Sequence, residues 1–177
     1  MTRTTLLYFA YGSNMLLSRI RQQDRAPSAR VVTTATLPGH MLMFHKRASD
    51  GSAKCDVVPS EGADRAVYGV IFAIPENERL SLDRAEGLGN GYHTKQVSVV
   101  GAKETLSAFS YAADPGHIAP SLLPYIWYKE LVLAGARQHA LPESYIGEIE
   151  KVAAIADPDR TREMRARELL RRQSSLH

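Results

Sequence analysis

The sequence predicts an α+β fold, five or six mostly antiparallel strands that close into a small β-barrel or a strongly curled sheet, with flanking helices. Three observations carry that reading. Short runs rich in β-branched and aromatic residues alternate with Gly/Pro turns over the first two-thirds of the chain. The stretch 66–74 (Ala-Val-Tyr-Gly-Val-Ile-Phe-Ala-Ile) is the most apolar run and fits a central strand. The last third changes to apolar residues at helical spacing.

In chain order, Thr4-Thr5-Leu6-Leu7-Tyr8-Phe9-Ala10-Tyr11 reads as the first strand. Gly12-Ser13-Asn14 is a tight turn, and Leu16, Leu17 and Ile20 give the following segment helical spacing. Residues 24–28 are loop, and 29–37 is a strand. Pro38-Gly39 breaks it, and 40–46 is expected to return beside it. A short strand at 55–58 stops at Pro59. After the central strand, Pro75 precedes a helix over 76–86 with Glu76 and Glu78 in its first turn, running through Leu80, Leu82 and Ala85 to Gly87. Residues 92–100 and 104–112 form a hairpin across 101–103. A helix opens at Pro120-Ser121, with Leu123, Trp127, Leu131 and Ala134 as its stripe, and reaches about Gln138. Another runs from Pro142 through Ile146, Ile149, Val152 and Ala153 to Asp157. The arginine-rich end is expected as a solvated helix.

The 177 residues fit one domain over 1–158 and a helical tail over 159–177. The net charge of +3 resides in that tail, where six arginines face Asp159, Glu163 and Glu168; the rest of the chain is balanced. A neutral body gives no nucleic-acid footprint. No apolar run is long enough for a membrane span, and the N-terminal apolar residues are used at once in a strand. The single cysteine, Cys55, excludes an internal disulfide framework, and a cytoplasmic location is expected. No His-Glu-x-x-His or Cys-x-x-Cys spacing suggests a metal, and no Walker or dinucleotide fingerprint suggests a nucleotide. The 121–138 helix can bury Trp127 against the barrel or against a second copy in a homodimer.

Glu86 is the acid of most interest. In the last turn of its helix a carboxylate faces the negative end of the dipole, unfavourable by about 0.3–1 kcal/mol. That placement favours proton uptake, as a general base requires. Most glutamates at helix ends are simply solvated, so the residues alone leave both readings open. The turn at Gly12-Ser13-Asn14 leaves backbone N–H groups free for an anion, or serves as a plain connection. Tyr11, Tyr92, Tyr111 and Tyr128 can line a pocket or pack ordinarily. Cys55 with His45 as its base is a less favoured nucleophilic pair.

Together these stretches resemble the gamma-glutamylcyclotransferase family. Tyr8-Phe9-Ala10-Tyr11-Gly12-Ser13-Asn14-Met15 is similar to its opening motif, and Leu82-Asp83-Arg84-Ala85-Glu86-Gly87 with Gly91-Tyr92 to its acidic motif. Tyr128-Lys129-Glu130-Leu131-Val132-Leu133-Ala134-Gly135-Ala136, then Leu141-Pro142-Glu143-Ser144-Tyr145, resemble its C-terminal block. The likeness spans about 5–158, in order. It implies a barrel with a cavity at its mouth and a cofactor-free cleavage of a small-molecule gamma-glutamyl substrate to 5-oxoproline and a free amine or amino acid. It implies Glu86 as the catalytic acid/base, with Tyr11, Gly12, Ser13, Asn14, Tyr92 and Tyr128 binding substrate. A cyclotransferase for a gamma-glutamyl amine or a gamma-glutamylated biosynthetic intermediate, a non-catalytic binding barrel, and a Cys55-dependent hydrolase are the alternatives.

Overall fold

The most apolar run becomes strand β5 (Ala66–Pro75), with β1 (Thr5–Ala10) antiparallel on one edge and β2 (Arg30–Pro38) on the other. Such a strand needs both faces covered, and Val67, Val70, Ile71, Phe72 and Ile74 are all buried. β6 (Tyr92–Gly101) and β7 (Thr105–Ala113) form the expected hairpin. In the computed structural model, which describes residues 4–62 and 64–174, these five strands close into a barrel in the order β1-β5-β2-β6-β7. Closure is made by the parallel contact of β1 with β7 at Tyr8 and Phe109. The expected α+β barrel is thus present. Residues 1–3 of the expected domain, and 175–177 of the tail with His177, lie outside the described residues.

One pairing differs from expectation. β3 (His40–Arg47) does not return beside β2. It pairs with β4 (Ala53–Pro59) as a separate two-stranded sheet. Both edges of β2 are taken, by β5 and β6, so the chain must leave the barrel at Gly39, whose φ is +66°. The hairpin folds over the barrel mouth, where Asp56 Oδ1 accepts the Ala113 N–H at 2.8 Å.

The helices also differ in their limits. The first is a 3-10 turn (Ser13–Met15) followed by α1 (Leu17–Ile20), a single turn. The second begins as a 3-10 turn (Glu76–Glu78) before α2 (Arg79–Glu86); Leu82 is fully buried, while Leu80 is exposed rather than on the core face. α3 (Ile126–Gln138) starts later than 121, because Pro124 resists a helix before it. The preceding segment is extended, with Leu123 O accepting the Ala53 N–H. Leu123 is therefore not part of the buried stripe. α4 (Glu143–Glu150) ends before Val152 and Ala153. Trp127 is buried within its own chain, donating Nε1–H to Asp157. α5 (Arg160–Ser174) is not solvated all round, since Ala166 and Leu169 join the core beneath it.

Candidate active site

Three parts of the fold converge at the barrel mouth. β1, β6 and β7 supply Tyr8, Tyr92 and Tyr111 from their ends at that mouth. The hairpin supplies Cys55, and α2 and α3 supply Glu86 and Tyr128. With Tyr11 and the turn Gly12-Ser13-Asn14 they line a narrow pocket of about 20 Å3. All seven site residues expected from the sequence line it.

Glu86 is fixed by the way its helix ends. Gly87 adopts the left-handed conformation (φ 72°, ψ 41°); its N–H bonds to Arg84 O, and the Leu88 N–H to Asp83 O. This closure satisfies two of the last carbonyls and stops the helix at Glu86. One turn earlier, Asp83 Oδ1 accepts from Arg79 Nε at 2.7 Å and from the Tyr111 hydroxyl at 2.5 Å, tying α2 to the barrel. Glu86 Oε1 then accepts from Asn14 Nδ2 at 2.8 Å and from an Arg25 guanidinium nitrogen at 2.5 Å. Oε2 takes no hydrogen bond from the described residues. One oxygen is anchored, and the other has no donor among the described residues.

The other pocket groups are poor proton carriers. Burial drives the phenols of Tyr8, Tyr11, Tyr92 and Tyr128 well above their ordinary range, so they stay protonated. Burial also pushes the Cys55 thiol up to about 12. Glu86 is the one carboxylate among the pocket residues.

The tyrosines hold the wall as well as lining it. Tyr92 donates to the Cys55 carbonyl at 2.5 Å, and Tyr128 accepts the Cys55 N–H at 3.1 Å. The two hydroxyls clamp the hairpin against the barrel through one residue. Tyr11 donates to Tyr111 O at 2.5 Å. The amides of Gly12, Ser13 and Asn14 have no acceptor among the described residues. Because only a 3-10 turn and one helical turn follow, these free N–H groups, rather than a helix dipole, are what the turn offers an anion.

His45 is not paired with Cys55. Its Nε2 lies 2.9 Å from Asp56 Oδ2, and both side chains are buried. With its thiol held protonated and no base beside it, Cys55 does not form a nucleophilic pair. Arg25 and Tyr8 are site residues that sequence reasoning missed. Arg25 sits in the 24–28 loop, where no spacing marks it. Tyr8, whose hydroxyl accepts from Asn14 Nδ2 at 3.1 Å, reads as ordinary strand. Among the described residues no group of three or more His, Cys, Asp or Glu side chains is placed to hold a metal ion, and no helix is long and apolar enough to cross a membrane.

A closed five-stranded barrel with flanking helices and a tyrosine-walled pocket holding one carboxylate defines the class. Comparison with known proteins then gives the family. Residues 66–149 match the model of the AIG2-like family. The chain is 33% identical over 159 residues to the gamma-glutamylcyclotransferase of Mus musculus, covering 85% of this chain and 79% of that one. It is 31% identical over 164 residues to that of Homo sapiens, covering 89% and 82%. A solved structure named gamma-glutamyl cyclotransferase superposes with a TM-score of 0.78 at 26% identity, over 88% of this chain and 92% of the other. The chain belongs to the gamma-glutamylcyclotransferase family and is an enzyme of that type.

Proposed function

We propose that this protein converts a gamma-glutamyl amino acid or peptide into 5-oxoproline and a free amine, with Glu86 as the single acid/base. The observation that carries the reading is the position of Glu86. Among the described residues it is the only carboxylate lining the tyrosine-walled pocket, it is anchored through Oε1, and it also lines a wider cavity outside that pocket.

The chemistry follows in order. The substrate's α-ammonium cannot attack while protonated, and Glu86 Oε2 takes its proton. The freed amine nitrogen forms a bond to the substrate's own γ-carbonyl carbon, giving a tetrahedral oxyanion. Glu86 returns its proton to the leaving nitrogen as the bond from that carbon breaks, then takes the second proton from the ring nitrogen, leaving a neutral amide, and passes it to the departing amine, which leaves as an ammonium. One group therefore serves twice, and no water enters. Ring closure is intramolecular, so a pocket that holds the glutamyl chain folded supplies much of the rate. The amides of Gly12, Ser13 and Asn14 are suited to the α-carboxylate or the developing oxyanion. Tyr11, Tyr92 and Tyr128, all protonated, shape the pocket around the glutamyl carbons.

Detection of 5-oxoproline by mass spectrometry, with gamma-glutamyl dipeptides, gamma-glutamyl amines and glutathione as substrates, tests this. Glu86→Gln keeps the shape and removes the base. It is expected to lower turnover by at least about 10²-fold while substrate binding and the melting temperature change little. Full activity in that variant would sink the mechanism.

A further inference from the structure

Outside Glu86 the pocket adjoins a wider cavity of about 330 Å3, sharing Ser13, Glu86, Tyr92 and Tyr128 with it. Arg19, Arg25, Lys46, Lys54 and Arg84 line this cavity, against only Asp50 and Glu86. Both carboxylates are already used, Glu86 by Arg25 at 2.5 Å and Asp50 by Lys54 at 2.7 Å. Arg19, Lys46 and Arg84 make no ion pair among the described residues.

Lys46 is the most telling of the three. The residue is only 5% exposed, and its ammonium lies 4.4 Å from the centre of the Tyr92 ring with no hydrogen-bond acceptor among the described residues. Gly91 makes room for it. At a φ of +113°, a Cβ there would come within 2.8 Å of Lys46 Cε and 2.9 Å of the His117 ring. The stem is thus held in a slot between Gly91 and Tyr92. Arg19 adds an Nε enclosed by protein with no partner among the described residues. An excess of cations in a partly enclosed cavity, one of them with a buried unpartnered Nε, favours an anion that completes the site.

This cavity shares Glu86 with the tyrosine pocket, so a leaving amine that takes its proton from Glu86 can extend into it. We infer that the leaving amine carries two acid groups, as an acidic amino acid does, met by Lys46, Arg19 and Arg84. The inference rests on the proposed reaction and names the substrate class for it. A single carboxylate would leave two cations unanswered; a dicarboxylate answers most of that charge.

Two nearly isosteric dipeptides, gamma-glutamyl-glutamate and gamma-glutamyl-glutamine, differ by that second charge alone. Their kcat/KM values, read as 5-oxoproline formed, are expected to favour the glutamate partner by about tenfold at low salt, chiefly through KM, and to converge as salt rises. Lys46→Met keeps the stem against Tyr92 and should bring the ratio toward one. Arg84→Met, at an exposed position, should reduce it less. Equal rates in the wild type, a preference for the glutamine partner, product from gamma-glutamyl-alanine alone, or a ratio unmoved by both variants would each overturn the inference. They would leave the cyclotransferase reading standing. No 5-oxoproline from any gamma-glutamyl compound would overturn both.

Discussion

At the scale of single residues, the site depends on how one carboxylate is held. Arg25 donates to Glu86 Oε1 and, at 3.1 Å, to Asn14 Oδ1, so one guanidinium ties the acid to the Gly12-Ser13-Asn14 turn. Its loop is pulled inward by the Ala26 N–H bonding to Ile20 O, with Ala26 fully buried. Arg25→Met removes the fork without changing the bulk greatly. Glu86 then loses its orientation, and a misplacement of about 1 Å is enough to lower kcat by roughly 10²-fold. The expected result is that kcat falls far more than KM changes, with partial recovery in Arg25→Lys. A drop confined to KM would show instead that Arg25 contacts substrate directly. Glu86 was legible through the likeness of Leu82–Gly87 to the family's acidic motif, since its place at a helix end alone fits a solvated glutamate equally well. Arg25 was not legible, because its role depends on a contact across 61 positions that no local pattern encodes.

At the scale of elements, the site turn is set by a helix packed unusually close behind it. A Cβ on Gly135 of α3 would lie 2.7 Å from both Leu16 N and Met15 Cβ. Only a glycine lets α3 approach the Ser13–Met15 turn in this way. The His139 ring secures the same turn, with Nε2 2.9 Å from Met15 O. Gly135→Ala raises helix propensity, which alone would stabilise by about 1 kcal/mol. The close backbone contact reverses the sign, because overpacking of this kind costs about 1–3 kcal/mol. The expected outcome is a lower urea midpoint with an unchanged m-value, together with reduced kcat as Asn14 shifts away from Glu86. A stabilised variant would mean that α3 gives way easily. Strand existence was readable here from β-branched runs, and the β6–β7 hairpin from its turn. The departure of β3–β4 from the barrel was not, because a strand's choice of neighbour depends on which edges are already occupied. The late start of α3 had a signal in Pro124, outweighed by the apolar spacing of Leu123 with Trp127.

For the molecule as a whole, the arginine-rich end backs the site rather than trailing from it. α5 lies over α1 and α3, its Leu169 carbonyl accepting from Ser18 Oγ at 2.9 Å. Charge counting saw its six arginines, but not that Ala166 and Leu169 are spaced to face inward. The join is made at Asp157, whose side chain is fully enclosed. Arg162 grips it through Nε and a terminal nitrogen, both at 2.6 Å, Trp127 donates to it at 2.7 Å, and the Asp159 N–H at 2.8 Å. The Arg162 fork and these further donors hold its carboxyl down to about 2. The folded state thus keeps this proton off more readily than the unfolded chain, where an aspartate titrates near 3.9. The sign follows: the stabilisation is complete above about pH 4 and is lost as pH falls toward about 2. Asp157→Asn keeps the shape but leaves Arg162 and Trp127 without their charged acceptor. It is expected to lower stability at pH 7 by about 2 kcal/mol and to flatten the loss of stability between pH 4 and pH 2. Urea unfolding of both proteins at pH 7, 4 and 3 checks this, because the gap between their midpoints should narrow as acid neutralises the wild-type carboxyl. A gap that stays constant across that range would place the anchoring of α5 elsewhere, in the apolar contacts of Ala166 and Leu169.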